Sequence, residues 1–176
     1  YAWNIGFTPL KMAKKAENRP DSKVAVIGSG PSGLTCAAAL AQEGCEVTVF
    51  ERQEKPGGML QYAIPDHRLA QEFFNREVDE VRELGVEIRC NAAIESKDAV
   101  NSLLAEGYRA VYVATGTWEC PTLDVPNRSV EGVFDALSFL KMSKVKATDF
   151  QNTVSDKSVA VIGGGDTAMD AAVTAV

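Results

Sequence analysis

At 176 residues and 45% hydrophobic content, the chain is long and apolar enough to bury a globular core, which excludes a disordered tail. Its formal charge of −6 is uneven: residues 1–22 carry four basic side chains against two acidic ones, a balance of +2 that leaves −8 on the remainder. Such an acidic body repels nucleic-acid phosphates, and the longest apolar runs are too short to span a bilayer, so neither nucleic acid nor membrane is expected as a partner.

The polar head, with Pro9 and Pro20, reads as a short helix around Leu10 to Lys15 and then a connector. Val24, Ala25, Val26 and Ile27 form the continuous apolar run of a parallel strand covered on both faces. The helix-favouring "LTCAAALAQEG" follows, with a stop at Gly44, and "CEVTVFE" gives a second strand ending at Glu51. A right-handed crossover places these two strands side by side. From Leu69 the apolar positions step by three to five as far as Leu84 and Gly85, as in an amphipathic helix. "VEIRC" alternates like a strand, "DAVNSLLAEG" is helical, and "AVYVAT" reads as a further buried strand leading into Gly116. "FDALSFLKM" is helical, "KATDFQNTVSD" a polar surface connector, and "KSVAVIG" the opening of a new strand before a last glycine turn and helix.

Gly28, Gly30 and Gly33 fit G-x-G-x-x-G between the first strand and its helix. The first glycine permits the tight turn, the second lets a pyrophosphate approach the backbone, and the third lets the helix pack close to the strand. The helix N-terminus adds unpaired N–H groups and a positive dipole end. Glu51 lies 23 residues beyond Gly28, at the end of the second strand, where a carboxylate accepts from ribose hydroxyls. The alternative is a turn whose glycines serve packing alone. The pattern recurs at an offset of 135, with "VAVIG" repeated at Val159 to Gly163, then Gly164, Gly165 and a small residue, Ala168, in the third position. Two dinucleotide turns suit a resident redox cofactor and a diffusible one.

The segments "VAVIGSGPSGL", "ERQEKPGGMLQYAIPDHRL", "ELGVEI", "VYVATG", "EGVFDALSFL" and "VAVIGGGDTAMDAA" together resemble the FAD- and NADPH-binding module of the glutamate synthase small subunit family, also found in dihydropyrimidine dehydrogenase and related electron-transferring flavoproteins. The resemblance implies an α/β fold: a doubly wound, Rossmann-like FAD-binding domain over 23–150, incomplete, and the first β-α of a second Rossmann-like NAD(P)-binding domain over 151–176, truncated. It makes residues 1–22 a linker from an N-terminal iron–sulfur domain outside this sequence. Residues 159–176 would then expose an unfinished apolar strand and helix.

By the same resemblance, Gly28, Ser29, Gly30, Pro31, Ser32 and Gly33 belong to the FAD pyrophosphate turn and Glu51 to the adenosine ribose. Arg52, Gly57, Gly58, Met59, Arg68, Ile94, Ala114, Thr115 and Gly116 count among the cofactor-binding residues, as do Gly163, Gly164, Gly165, Asp166 and Thr167 on the nicotinamide side. Gly57 and Gly58 also suit a surface turn, and Arg68 a helix-surface charge. His67 reads as packing or solvent-facing, and Trp118 as a core or loop filler. The four cysteines Cys36, Cys45, Cys90 and Cys120 are scattered, without metal-ligand spacing, and read as small buried hydrophobes. No cysteine occurs in "GGMLQYAIPDHRL" or "GGGDTAMDAA", so a dithiol route out of a flavin is not expected, and the resembled family uses iron–sulfur clusters on an adjoining domain or subunit. The implied activity is hydride transfer from NAD(P)H to FAD in the cytoplasm. The competing function is a module that binds FAD or NAD(P) structurally, or as a redox sensor, without turnover. No general acid, nucleophile or metal constellation stands out, no residue is named catalytic, and the choice between NADH and NADPH stays open.

Overall fold

The computed structural model describes residues 17–96, 98–121, 124 and 126–176. The helix expected around Leu10 to Lys15 lies outside these residues. Four strands, β1 (Lys23–Ile27), β2 (Glu46–Phe50), β3 (Glu87–Arg89) and β4 (Ala110–Val113), form one sheet in the order β3-β2-β1-β4. All three pairings are parallel, as the short crossovers require, with Val26 opposite Val49 on one side and Tyr112 on the other. Reversal of direction at β1 puts a topological switch point at its carboxyl end, beside Gly28.

Helix α1 (Pro31–Gln42) returns the chain from β1 to β2 and turns Gly33, Leu34, Ala37, Ala38 and Ala41 inward at helical spacing. A four-residue helix α2 (Met59–Tyr62), not anticipated, and then α3 (Gln71–Glu83) follow β2. Val26, Val47 and Val49 pack with α1 and with Phe74, Val78 and Val81 of α3 on one face of the sheet. Ala25, Ile27 and Phe50 pack on the other face against Leu103 of α4 (Ala99–Ala105) and Tyr108. Alternate residues of β1 thus serve opposite layers, as the strand period dictates.

Three helices complete the described chain: α5 (Ala136–Val145), α6 (Ala147–Val154) and α7 (Asp166–Thr174). Phe139, Phe150 and Ala171 join them in a separate small core, with the Phe139 and Phe150 rings edge to face at 5.1 Å. This corrects the expectation of a surface connector over "KATDFQNTVSD": its polar composition hides one buried phenylalanine, and packing of that side chain outweighs weak helix propensity. The boundary expected between residues 150 and 151 falls within α6.

Two strand expectations are also corrected. Residues 158–162 form no strand, and Ile162 is 79% exposed, because no neighbouring strand among the described residues supplies ladder partners for their N–H and C=O groups. β4 is formed but is not buried: among the described residues it pairs with β1 alone, and Tyr112 and Val113 are exposed. Nor are the cysteines fully buried; all four are intermediate in exposure.

Candidate functional site

At the end of β1 the chain must turn sharply into α1. Gly28 sits at φ +101°, its N–H donates to the Phe50 carbonyl at 2.8 Å, and a Cβ there would strike the Ala114 carbonyl. A Cβ on Gly33 would strike the Gly28 carbonyl instead. These two glycines are thus required by the fold, through handedness and close backbone approach. Gly30 differs. Its φ of −66° and ψ of 178° suit any residue, yet the space a Cβ would occupy has no atom within 4 Å. This opening lies at the uncapped N-terminus of α1, whose first position is Pro31. The donors of the first helical turn therefore have no side-chain cap and border open space, an arrangement that suits an anion.

The turn is held by a side-chain network that the residue pattern did not reveal. Ser29 is 0% and Glu51 5% exposed. Glu51 Oε2 accepts from the Ser29 N–H at 3.0 Å and from Ser29 Oγ in a short hydrogen bond, while Oε1 accepts from the Gln53 N–H at 2.8 Å. Ser29 Oγ in turn accepts from the Gly57 N–H at 3.0 Å. One serine therefore links the end of β1, the end of β2 and the "KPGGM" loop. Of about four lone-pair directions on the carboxylate, these bonds engage three. A signal was present, a small hydroxyl between two motif glycines, but nothing in the spacing ties it to Glu51.

The "KPGGM" loop packs onto the turn rather than lying on the surface. A Cβ on Gly57 would press into the Phe74 ring, and one on Gly58 would come 2.9 Å from the Gly30 Cα. Met59 begins α2 directly behind. Ala114 and Thr115 abut Gly28 from the end of β4, and the exposed Ser32 Oγ lies 2.9 Å from the Tyr112 hydroxyl. Ile94 is set further back, against the Ala25, Ile27 and Phe50 cluster. Arg52 lies over the Trp118 ring at 5.6 Å, Lys141 lies over the same ring, also at 5.6 Å, and Tyr62 meets it edge-on. Trp118 therefore joins the loop after β4 to the segment following β2, to α2 and to α5 through cation–π and ring contacts, a role that its place in the sequence does not reveal.

The second turn has the same local form at the start of α7. Gly165 is the N-cap, no side chain caps the helix, and added Cβ atoms on Gly164 and Gly165 meet nothing within 4 Å. Gly163 at φ +132° faces Ala168, Asp166 is largely exposed, and Thr167 follows it in the first turn of α7. Arg68 is placed here: its Nε contacts Asp170 Oδ1 directly, and its Nη2 lies 3.7 Å from Asp166 Oδ1. His67 Nε2 stands 3.9 Å from the same Asp170 oxygen.

Burial pushes the thiols of Cys36, Cys90 and Cys120 up from their usual range, which disfavours the reactive thiolate, and none of the four cysteines is paired. Among the described residues no cluster of His, Cys, Asp or Glu could hold a metal, and no helix is long and apolar enough to cross a membrane.

A parallel sheet with one glycine-lined anion cradle at its switch point and a second at a later helix start defines a dinucleotide-binding protein of the Rossmann-like class. The chain belongs to the pyridine nucleotide-disulphide oxidoreductase family, whose model matches residues 22–176. It is 33% identical over 182 aligned positions to the glutamate synthase [NADPH] small chain of Escherichia coli (strain K12), covering 99% of this chain and 38% of that protein. It is 38% identical over 153 positions to the NAD-dependent dihydropyrimidine dehydrogenase subunit PreT homolog of Salmonella typhi, covering 86% and 36%. The resemblance drawn from the sequence is thereby borne out. Among solved structures, FprA of Mycobacterium tuberculosis in complex with NADPH superposes with a TM-score of 0.69 at 25% identity, over 88% of this chain and 36% of that one. The chain thus spans between a third and two fifths of the length of these proteins.

Proposed function

We propose that the chain is part of an NAD(P)H-dependent flavin oxidoreductase of the glutamate synthase small-chain type. The observation that carries this reading is the open cradle at Gly30, bordered by an uncapped helix N-terminus and repeated at Gly164 and Gly165. Gly28 to Gly33 would hold the FAD pyrophosphate, and Glu51 a ribose hydroxyl through its remaining acceptor direction. Arg52, Gly57, Gly58, Met59, Ile94 and Ala114 to Gly116 would complete the flavin side, and Arg68, although paired with Asp170 of α7, would add a further cofactor contact through its Nη donors. Gly163 to Thr167 would take the nicotinamide nucleotide. When bound, FAD would supply the hydride chemistry, accepting from NAD(P)H and passing electrons to an iron–sulfur domain or larger catalytic subunit.

The residues themselves bind and orient. The Ser29–Glu51 pair fixes the turn's shape before any ligand arrives, which lowers the ordering cost of binding. Glycine at position 30 keeps the backbone approachable. The raised cysteine thiols and the absence of a cysteine pair beside either turn support an electron exit other than a dithiol. In this reading residues 23–150 belong to the FAD-binding domain, residues 151–176 open the nicotinamide domain, residues 1–22 lead from an iron–sulfur domain, and the protein is cytoplasmic.

The test is an anaerobic visible spectrum of the intact protein, titrated separately with NADPH and NADH. Bleaching of a flavin band supports the proposal and identifies the preferred donor. A bound flavin whose spectrum ignores both donors would instead establish a structural or sensing role without turnover.

A further inference from the structure

We propose that Asp170 is a positioning residue for Arg68, and that their ion pair couples occupancy of the two glycine turns, so that a nicotinamide nucleotide at the second tightens FAD binding at the first. The inference rests on the two-nucleotide reading above and adds the physical link between the sites.

That link is continuous. Asp170 lies one turn into α7, four residues after Asp166, and its side chain is only 11% exposed, so its carboxylate needs a partner; Arg68 Nε supplies it. Arg68 lies in the loop between α2 and α3, and the same loop is gripped from α5: Lys144 Nζ donates to the Ile64 carbonyl at 2.6 Å and pairs with Asp66 at 3.1 Å. The loop is continuous with α2, which begins immediately after Gly58, and Gly58 abuts Gly30 in the first cradle. An anion at the start of α7 would fix that helix and hence Asp170. Fixing Asp170 fixes Arg68, and through it the loop, α2 and Gly58. Ordering that one ligand has already imposed need not be imposed again by the second, which gives positive coupling without a large movement.

The arrangement also leaves donors for a ligand. Nε is held by a buried carboxylate, whereas Nη2 faces an exposed Asp166 at 3.7 Å, beyond hydrogen-bond reach, with His67 alongside. The Nη donors, set in the rigid plane that Nε anchors, are therefore aimed for a ligand, the use for which its forked donors suit arginine over lysine.

The test is FAD binding to the intact protein, followed by flavin fluorescence with and without saturating NADP+, in the parent, Asp170→Asn, Asp170→Glu, Arg68→Gln and the double variant Arg68→Gln/Asp170→Asn. NADP+ should tighten FAD binding about fivefold or more in the parent, the lower end of ordinary coupling. The factor should fall to within about twofold of unity in Asp170→Asn and in Arg68→Gln, with no further loss in the double variant and partial return in Asp170→Glu. Arg68→Gln, on the more exposed side of the pair, keeps the test informative if Asp170→Asn folds poorly. Coupling that persists in both single variants, or is absent from a parent that binds each nucleotide, would overturn the inference and leave the proposed function standing. A parent that binds neither FAD nor NADP+ would overturn both.

Discussion

Ser29→Ala is the sharpest probe of the network behind the first turn. The substitution removes the hydroxyl that donates to Glu51 Oε2 and accepts from the Gly57 N–H, at a position with no solvent exposure. A hydrogen bond to a charged group contributes about 1.5–3 kcal/mol, and an orphaned buried N–H costs about 1–3 kcal/mol. Glu51 keeps the Ser29 and Gln53 backbone donors, so the lower halves of these ranges apply and the expected loss is about 3 kcal/mol. For a chain of this size that corresponds to a fall of roughly 6–12 °C in Tm. Thermal unfolding followed by circular dichroism reads it directly, with Ser32→Ala as the control, because that exposed hydroxyl meets the exposed Tyr112 hydroxyl rather than a buried partner. A Tm for Ser29→Ala within about 2 °C of the Ser32→Ala control would refute the claim that this serine holds the turn together.

Three further outcomes follow from local geometry. Gly33→Ala forces a Cβ into the Gly28 carbonyl and should cost about 2 kcal/mol or more in urea unfolding, because neither backbone segment can retreat. Phe150→Ala should cost about 3 kcal/mol if α6 is packed as described, and less than about 0.5 kcal/mol if the segment were a surface connector. Asp135 caps α5 by accepting from the Ser138 N–H at 2.9 Å, so Asp135→Ala should cost about 1 kcal/mol at neutral pH. Burial alone pushes the Asp135 carboxyl upward, but its bonds to Ser138 and neighbouring donors outweigh that and hold it below the usual range. Its contribution is therefore complete above the ordinary aspartate value near pH 4 and disappears as pH falls through the lower folded value, so the gap between parent and variant should close in acid urea melts.

The sheet was legible because its signals are local. The apolar run Val24–Ile27 and the β-branched, aromatic-ended segment Glu46–Phe50, separated by one helix-length segment and a glycine stop, leave almost no alternative to a parallel crossover. The glycine turn was legible because its three glycines keep a fixed spacing between a strand and a helix, although the carbonyl that excludes a side chain at Gly28 comes from distant Ala114. What could not be read depends on long-range partners. Segment 158–162 has the composition of β1 and even repeats its sequence, yet a strand exists only where a ladder partner lies alongside. Phe150 sits among polar residues whose pattern gives no hint of Phe139 across the helix pair. Ser29, Trp118 and Asp170 act through Glu51, Arg52 and Arg68, and none of those pairings leaves a trace in spacing along the chain.

Gly30→Ala addresses the central claim most directly, that the cradle exists for a nucleotide rather than for the fold. The residue has an ordinary φ and nothing within 4 Å of an added Cβ, so the melting temperature should stay within about 2 °C of the parent while FAD affinity in the intact protein falls at least about tenfold. An unchanged Tm together with unchanged FAD affinity would contradict that claim.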